Sequence, residues 1–374
     1  MRSIAVCGAK LQGSSFCDPP SAVSIDGVPV NVTRVASIAP DFDGALPEYR
    51  GKVLLEVKSF SCNYRDKALL VYLGQTCPPR SYCFIGSDFL GEILAVGRDV
   101  AGFASGDRVL GNCQYPDSGV EGVYGGIPTQ HASARYHIFD PSKLMRVPEN
   151  MSDVVAGGFA VGAQTTYSIL RRLAVQPGQN VLVTGASSNT ALFAVNALRR
   201  HNVNVYAAST SARFRSRLEG LGVEGLIVMD PDSVSLLDDS YVHALMSKTG
   251  GFDCVIDPFC DIYLSRVMPL MRYGGKYATC GFTVRLGDSA QNHESVNQRG
   301  LLGVEDYSRL ILGNIEIVGN CLGETCDLRQ ALDDFRTGLF DVVIDSVFTG
   351  VNVGGFFDRT YNSLDRFGKV IYCY

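Results

Sequence analysis

Hydrophobic and polar positions follow two regimes that meet near Ser152. Before that point the apolar runs are short. Residues 4–7 and 28–32 are two such runs, separated by a Gly/Ser/Pro-rich connection. Residues 52–58 predict a strand, and residues 59–66 predict a turn into a helix. Residues 84–97 form a second β-rich unit, and Gly106-Asp-Arg-Val-Leu-Gly111 follows it. Short strands with glycine-bearing turns at this spacing predict a curled antiparallel barrel. After Ser152 the period changes. Residues 154–173 read as one apolar helix, and strands then alternate with helices to about Gly319, the pattern of an α/β sheet. Residues 252–257, 274–281 and 315–319 are strands of that sheet, and residues 327–335 are a helix. The last forty residues return to short strands and end in residues 367–374. The expected layout is a β-barrel domain built from both ends of the chain, residues 1–157 and 321–374, with an α/β domain at 158–320 between them.

The most informative stretch of the second regime begins at Asn180. A short apolar run, residues 181–183, suits a strand buried on both faces. Small residues follow from Gly185 to Asn189, and then Leu192, Phe193, Val195, Ala197 and Leu198 recur at helical spacing. Strand, tight turn and helix make the usual receptor for a dinucleotide pyrophosphate, which meets backbone N–H groups and the helix dipole. Ser187, Ser188, Asn189 and Thr190 are the candidate phosphate contacts. The glycine spacing is altered, since Ser188 and Ala191 stand where a Gly-x-Gly-x-x-Gly fingerprint wants glycine. Asn189 is expected to supply the left-handed conformation instead. A plain strand–helix connection is the competing reading of this turn.

The next strand, residues 203–208, is followed by Ser209-Thr-Ser-Ala-Arg213 and further arginines at 215 and 217. An NAD site places an acid here for the ribose 2′-hydroxyl. This chain has hydroxyls and positive charge instead. Ser209, Ser211 and Arg213 therefore point to a 2′-phosphate and to NADPH as cofactor. The alternative for the arginines is a solvated helix face.

Composition adds mainly exclusions. With 46% hydrophobic and 19% charged residues and a net charge of −5, nothing suggests a nucleic-acid or anionic-membrane partner. No apolar run is long enough to span a bilayer, and no secretory leader is apparent. The 12 cysteines are scattered without a Cys-x-x-Cys pair, which favours free thiols and a cytoplasmic location over a disulfide framework.

Six segments, in order, resemble the medium-chain dehydrogenase/reductase superfamily. They are Asn63-Tyr-Arg-Asp66, Gly86-Ser-Asp88, Gly106-Asp-Arg-Val109, the run from Gln176-Pro-Gly to Gly185, Gly274-Gly-Lys276 and Phe367-Gly-Lys-Val370. The nearest branch is the zinc-free quinone-oxidoreductase and enoyl- or acryloyl-CoA-reductase group. The resemblance implies a GroES-like barrel plus a Rossmann domain and, commonly, a homodimer. It also locates the catalytic zinc ligands of the alcohol dehydrogenases. Here the first falls on Asn63, with Cys62 one residue off, the histidine falls on Ser87, and the third falls near Val161. The four-cysteine structural lobe is reduced to Cys113. No metal is therefore expected.

Without a Lewis acid, alkoxide chemistry loses its usual support. Hydride addition to a polarised C=C bond needs none, only donors for the developing enolate and a proton source. The expected activity is NADPH-dependent reduction of an enone, enoyl thioester or quinone. A non-catalytic nucleotide-binding member and a zinc alcohol dehydrogenase with displaced ligands are the alternatives. By resemblance, Tyr64 lies against the cofactor or supplies a proton, and Asn63 donates to a substrate carbonyl. Thr165, Phe282, Gly319 and Asn320 are placed near the nicotinamide. Asp66, His131 and His137 are expected to be structural. Substrate walls are expected from residues 113–128 and from the long polar segment 285–309, a candidate lid.

Overall fold

The computed structural model describes residues 1–230, 236–283 and 302–374. The chain divides into two compact units. One comprises Met1–Gln164, Glu324–Arg336 and Val342–Tyr374, and the other comprises Thr165–Gly323 and Thr337–Asp341.

The first unit is built mainly on a seven-stranded sheet. Strand Val53–Ser61 is its hub. It pairs antiparallel with Asp88–Val96, Tyr136–Phe139 and Lys369–Cys373. Arg108–Gly111 and Leu144–Arg146 extend one side, and Ile344–Thr349 closes the other. Alternating apolar positions bury Val53, Leu55, Val57 and Phe60 with Phe89, Ile93, Phe356 and Tyr372. A second sheet of four strands comes from the N-terminal region. Its hairpin Ser21–Ile25/Val28–Ala36 turns at Asp26 and Gly27, both at positive φ (49° and 76°). Asp-Gly suits that two-residue turn, because both central residues must be left-handed.

Two expectations for this unit need correction. The single helix over 154–173 is two helices, Asp153–Ala156 and Ala160–Leu173. A side chain at Gly157, between them, would lie 2.3 Å from the Ser59 hydroxyl, so the chain passes too close to the hub strand there for any other residue. The C-terminal region contains a helix, Val353–Tyr361, between its two strands, and those strands are parallel to each other. Val353, Phe356, Phe357 and Thr360 are its buried face, at helical spacing.

The second unit is a six-stranded, wholly parallel sheet. Its spatial order is Val223–Val228, Asn204–Ser209, Asn180–Val183, Phe252–Asp257, Met271–Thr279, Glu316–Gly319. In chain order this is 3-2-1-4-5-6, the doubly wound arrangement. The central strand is buried throughout and apolar from Val181 on, as expected for a strand covered on both faces. The order reverses between Asn180–Val183 and Phe252–Asp257. Ligands of such sheets bind beyond the carboxyl ends at that point.

Candidate active site

The carboxyl edge of the parallel sheet gathers most of the residues singled out as cofactor contacts. Strand Asn180–Val183 leads through Thr184 into Gly185, which has φ +56°. A Cβ there would meet the Phe259 ring at 3.2 Å, so only glycine suits the turn. Ser188 caps helix Asn189–Leu198. Its hydroxyl accepts the Ala191 N–H at 3.2 Å, and its own N–H reaches the Gly185 carbonyl at 2.8 Å. Ser187, Asn189 and Thr190 are half-buried around that helix start. The left-handed conformation expected of Asn189 is not there. Asn189 opens the helix, and Gly185 alone carries positive φ in this turn. One glycine suffices because the serine cap ends the turn within three residues. A turn too tight for a Cβ, running into a helix N-terminus, fits a dinucleotide pyrophosphate.

After strand Asn204–Ser209 the chain makes two successive hydroxyl turns. Ser209 Oγ accepts the Ser211 N–H at 3.3 Å, and Ser211 Oγ accepts the Arg213 N–H at 3.1 Å. These bonds hold Arg213 at the rim with its side chain exposed. Phe282 is half-exposed past the fifth strand, and the next residue is pinned by Asp261, which accepts the Thr283 N–H at 2.8 Å. Asn320 is more committed than expected. Its Oδ1 accepts from Ser168 Oγ at 2.9 Å and from Arg172 at 3.0 Å, and its Nδ2 donates to the Leu322 carbonyl. The Gly319 carbonyl also accepts from Arg172. Thr165 lies three residues before Ser168 on helix Ala160–Leu173, and so shares a helix face with it.

Beneath this edge lies a buried carboxylate that sequence reasoning misses. Asp257 accepts from Thr184 Oγ1 at 2.6 Å, from the Phe259 N–H at 2.7 Å and from the Tyr277 hydroxyl. Burial pushes its pKa up to about 6, against the pull of these three donors.

In the first unit, Asn63 caps helix Tyr64–Thr76, and its backbone N–H donates to Asp66 Oδ2 at 2.7 Å. Tyr64 is the first helical residue and is 48% exposed, with the Lys67 ammonium 5.6 Å from its ring centre. Asn63 is committed inward. Its Nδ2 donates to Ser87 Oγ at 3.0 Å and to Asp88 Oδ2 at 2.8 Å, and its Oδ1 accepts from Lys369 Nζ at 2.8 Å. Both amide hydrogens are used, which corrects the expected role of Asn63 as a donor to substrate. Ser87 passes its own hydrogen to Asp66 Oδ2 at 2.6 Å, and the Val161 N–H donates to Asp88 Oδ1 at 2.8 Å. Positions 63, 87 and 161 therefore do converge, as the metal-ligand pattern requires. They offer an amide oxygen facing an ammonium, a hydroxyl engaged both ways, and an isopropyl group. That donor set does not fit zinc, which takes thiolate, imidazole or carboxylate. Among the described residues no group of three metal-binding side chains occurs anywhere.

Of the three residues expected to be structural, Asp66 is buried, His137 is half-buried and His131 is exposed. His137 is stacked against Phe89 and Phe139, and burial holds its pKa down at about 4, so it is neutral. Asp66 is fully buried at the helix start. The candidate lid at 285–309 lies mostly outside the described residues. No helix among the described residues is long and apolar enough to cross a membrane. The cysteines form no disulfide among the described residues.

Comparison with known proteins agrees with this geometry. Residues 49–149 match the alcohol dehydrogenase GroES-like domain. The chain is 30% identical over 179 residues to the acryloyl-coenzyme A reductase of Metallosphaera sedula, covering 43% of this chain and 52% of that one. It is 26% identical over 256 residues to the polyketide synthase GfsB of Streptomyces halstedii, covering 68% of this chain and 4% of that protein. The chain thus spans a small part of the polyketide synthases it matches. Among solved structures, an NAD-dependent alcohol dehydrogenase matches over 100% of both chains at 20% identity and a TM-score of 0.74. The 2-octenoyl-CoA carboxylase reductase CinF, solved with NADP and 2-octenoyl-CoA, matches over 92% of this chain and 82% of its own at 18% identity and a TM-score of 0.72. Likeness at that identity shows the shared fold.

Proposed function

We propose, from the premise that this chain is a member of the medium-chain dehydrogenase/reductase superfamily, that it is an NADPH-dependent, zinc-independent reductase of activated C=C bonds. Enones, enoyl thioesters and quinones are the substrate classes. The observation that carries the reading is the metal-ligand triad, where Asn63, Ser87 and Val161 stand in place of zinc donors and the side chains of Asn63 and Ser87 are spent on Asp88 and Asp66. The acryloyl-CoA reductase, 30% identical over 179 residues, supports the alkene over the alcohol.

The nicotinamide supplies the hydride when bound. The chain's own residues do the rest. The Gly185 turn and the helix start at Ser187–Thr190 hold the pyrophosphate. Ser209, Ser211 and Arg213 take the 2′-phosphate. Thr165, Phe282 and the backbone at Gly319 and Asn320 orient the nicotinamide end. The half-exposed Tyr64 donates a hydrogen bond or proton from its hydroxyl to the substrate as negative charge develops on the substrate oxygen. Purified protein is expected to oxidise NADPH in the presence of some α,β-unsaturated carbonyl compound or quinone. A protein that binds NADPH but turns over none of a broad panel is the non-catalytic member instead, and stoichiometric zinc in the purified protein returns the alcohol dehydrogenase reading.

Arg213→Ala is expected to weaken NADPH binding by about tenfold, the value of one charge-assisted contact to phosphate. NADH binding should hardly change. Fluorescence titration of both nucleotides decides it, and equal losses for the two would remove Arg213 from the 2′-phosphate site.

A homodimer is part of the proposal. Strand Glu316–Gly319 ends the sheet order with one edge unpaired among the described residues. Beside it in sequence, helix Val304–Leu312 leaves Val304, Tyr307, Ile311 and Leu312 exposed. An open strand edge and an apolar helix face are the features that self-pairing covers. Ile317→Glu is expected to turn a dimer into a monomer in sedimentation. A wild-type chain that sediments as a monomer at all concentrations defeats this part.

A further inference from the structure

Helix Tyr64–Thr76 ends beside a pair of cysteines that the proposed reaction does not use. Cys77 is the C-cap, and its backbone N–H donates to the Leu73 carbonyl at 2.9 Å. Cys83 lies on the two-residue strand Tyr82–Cys83, at the edge of the four-stranded sheet. Five residues separate them, Pro78-Pro-Arg-Ser-Tyr82. That link is a fixed turn. The Ser81 N–H donates to the Pro78 carbonyl at 2.9 Å. From outside, the Gly8 N–H donates to the Ser81 carbonyl at 3.0 Å, and the Lys10 N–H donates to the Pro79 carbonyl at 2.8 Å. A side chain at Gly8 would overlap the Pro78 carbonyl, so the packing leaves no slack. Held this way, the Cys77 thiol lies 3.6 Å from the Ser81 carbonyl and within hydrogen-bonding reach of the Cys83 thiol. Both cysteines are half-buried. A third thiol, Cys7, is buried nearby and opposes Tyr82 in the strand pairing, while Val6 opposes Cys83. Neighbouring strand residues point to opposite faces, so Cys7 and Cys83 lie on different sides of that pairing.

We infer that Cys77 and Cys83 are a reversible thiol–disulfide pair, closed by hydroperoxides and reopened by small thiols, which clips the end of helix Tyr64–Thr76 to the sheet edge. The two thiols already meet in the reduced protein, so the bond closes with little movement. Burial, with the Cys83 thiol beside it, pushes the Cys77 pKa up to about 11, so Cys77 keeps its proton at neutral pH. Cys83 is therefore the sulfur that reacts first. Its thiolate attacks the terminal oxygen of a hydroperoxide. The O–O bond breaks, water or an alcohol leaves, and the sulfur keeps a hydroxyl as a sulfenic acid. The Cys77 sulfur then attacks that sulfur. Its proton leaves with the hydroxyl as water, and the S–S bond forms. The two thiols together give up two electrons, and the peroxide takes them. A small thiol reverses the bond by two exchange steps and leaves as its own disulfide. The loop closed is short, so the bond takes little entropy from the unfolded chain and stays easy to reduce. Those are the properties of a switch rather than of a permanent staple. This thiol chemistry is independent of which alkene or nucleotide the protein uses.

Trypsin distinguishes the pairings, because Arg80 lies between the two cysteines. Cleavage puts Cys77 in peptide 68–80, Cys83 in peptide 81–98 and Cys7 in peptide 3–10, each with a single cysteine. The reduced full-length protein is treated with hydrogen peroxide, free thiols are blocked with iodoacetamide, and the digest is read by mass spectrometry. Peptides 68–80 and 81–98 are expected as one species, two hydrogens lighter than their sum, which dithiothreitol splits. Amide exchange at residues 73–77 is expected to slow at least about tenfold on oxidation, and Cys83→Ser should abolish both changes. Two alkylated peptides after treatment, a bond from Cys77 to Cys7, or linkage found only between two molecules on a non-reducing gel overturns the inference. Linked peptides with unchanged exchange overturn the clip. The wild-type digest and exchange decide the matter even where Cys83→Ser does not fold.

Discussion

Lys369→Met is expected to destabilise the first unit by about 3–5 kcal/mol, the usual consequence of removing one partner from a buried ion pair. Lys369 Nζ lies 2.8 Å from Asp88 Oδ2 with both side chains buried, and the reason lies in what remains. Asp88 keeps two donors, the Val161 N–H and Asn63 Nδ2, but no cation, while its carboxylate stays fully buried. Asn63 Oδ1 loses its donor as well. Asp88→Asn is expected to cost a similar amount by leaving the ammonium unpaired. K369M/D88N should be more stable than the two single losses added together, because neither charge is then stranded, and the cycle measures that coupling. The readout must separate the units, since two compact bodies need not unfold together. Amide exchange in strand Val53–Ser61 reports the first unit, and exchange in Asn180–Val183 reports the second. Loss of protection in the first strand alone is expected. A change below about 1 kcal/mol would mean that water reaches Asp88 and that the pair does not organise this unit.

That network also shows where sequence reading succeeds and where it stops. The resemblance aligns positions 63, 87 and 161 with metal ligands, and they do converge in space. Nothing in residues 367–370 announces that Lys369 arrives beside Asp88, because the contact joins positions 281 residues apart through a strand pairing. Composition cannot carry such a contact, and a lysine is usually solvated. Asn63 is misread for the same reason: a polar residue at a helix start is free or spent according to partners that only the fold supplies. The parallel sheet is far more legible. Strand Phe252–Asp257 can be read to the residue, because a short run buried on both faces has sharp polar ends. The helix Val353–Tyr361 escapes sequence reading although Val353, Phe356, Phe357 and Thr360 carry its period. Two glycines at 354 and 355 obscure it, and there Gly355 receives the Asn352 cap. The hairpin at Asp26-Gly27 is likewise signalled by its own turn residues, but only its second strand stands out as an apolar run.

The second unit should be more stable in mild acid than at neutral pH, and Asp257 is the cause. Its carboxyl is fully buried at the end of the fourth strand. Burial raises its pKa from 3.8 to about 6, with the nearby Asp261 adding to the rise, while Thr184, Tyr277 and the Phe259 N–H work against it. The fold therefore favours the protonated form. Its contribution to stability is complete below the unfolded value near 4, declines as pH climbs through about 6, and is gone above that. A rise from 3.8 to about 6 corresponds to about 3 kcal/mol between the two ends of this window. Other groups around the carboxyl do not supply this slope. The thiol of Cys260 and the phenols of Tyr263 and Tyr277 are all pushed above their ordinary alkaline values and stay neutral throughout the window. Carboxylates with lowered values, such as Glu56 and Asp345, lie in the other unit and weaken it as pH falls, the opposite direction. Asp257→Asn keeps an acceptor for Thr184 and the Phe259 N–H but cannot ionise. Exchange protection in Asn180–Val183 should then be level from about pH 4.5 to 7.5 in the variant, while in the wild type it falls between about pH 4.5 and 6.5. Parallel profiles for the two proteins would show that Asp257 ionises in the fold as readily as in the unfolded chain, and that its three donors outweigh its burial.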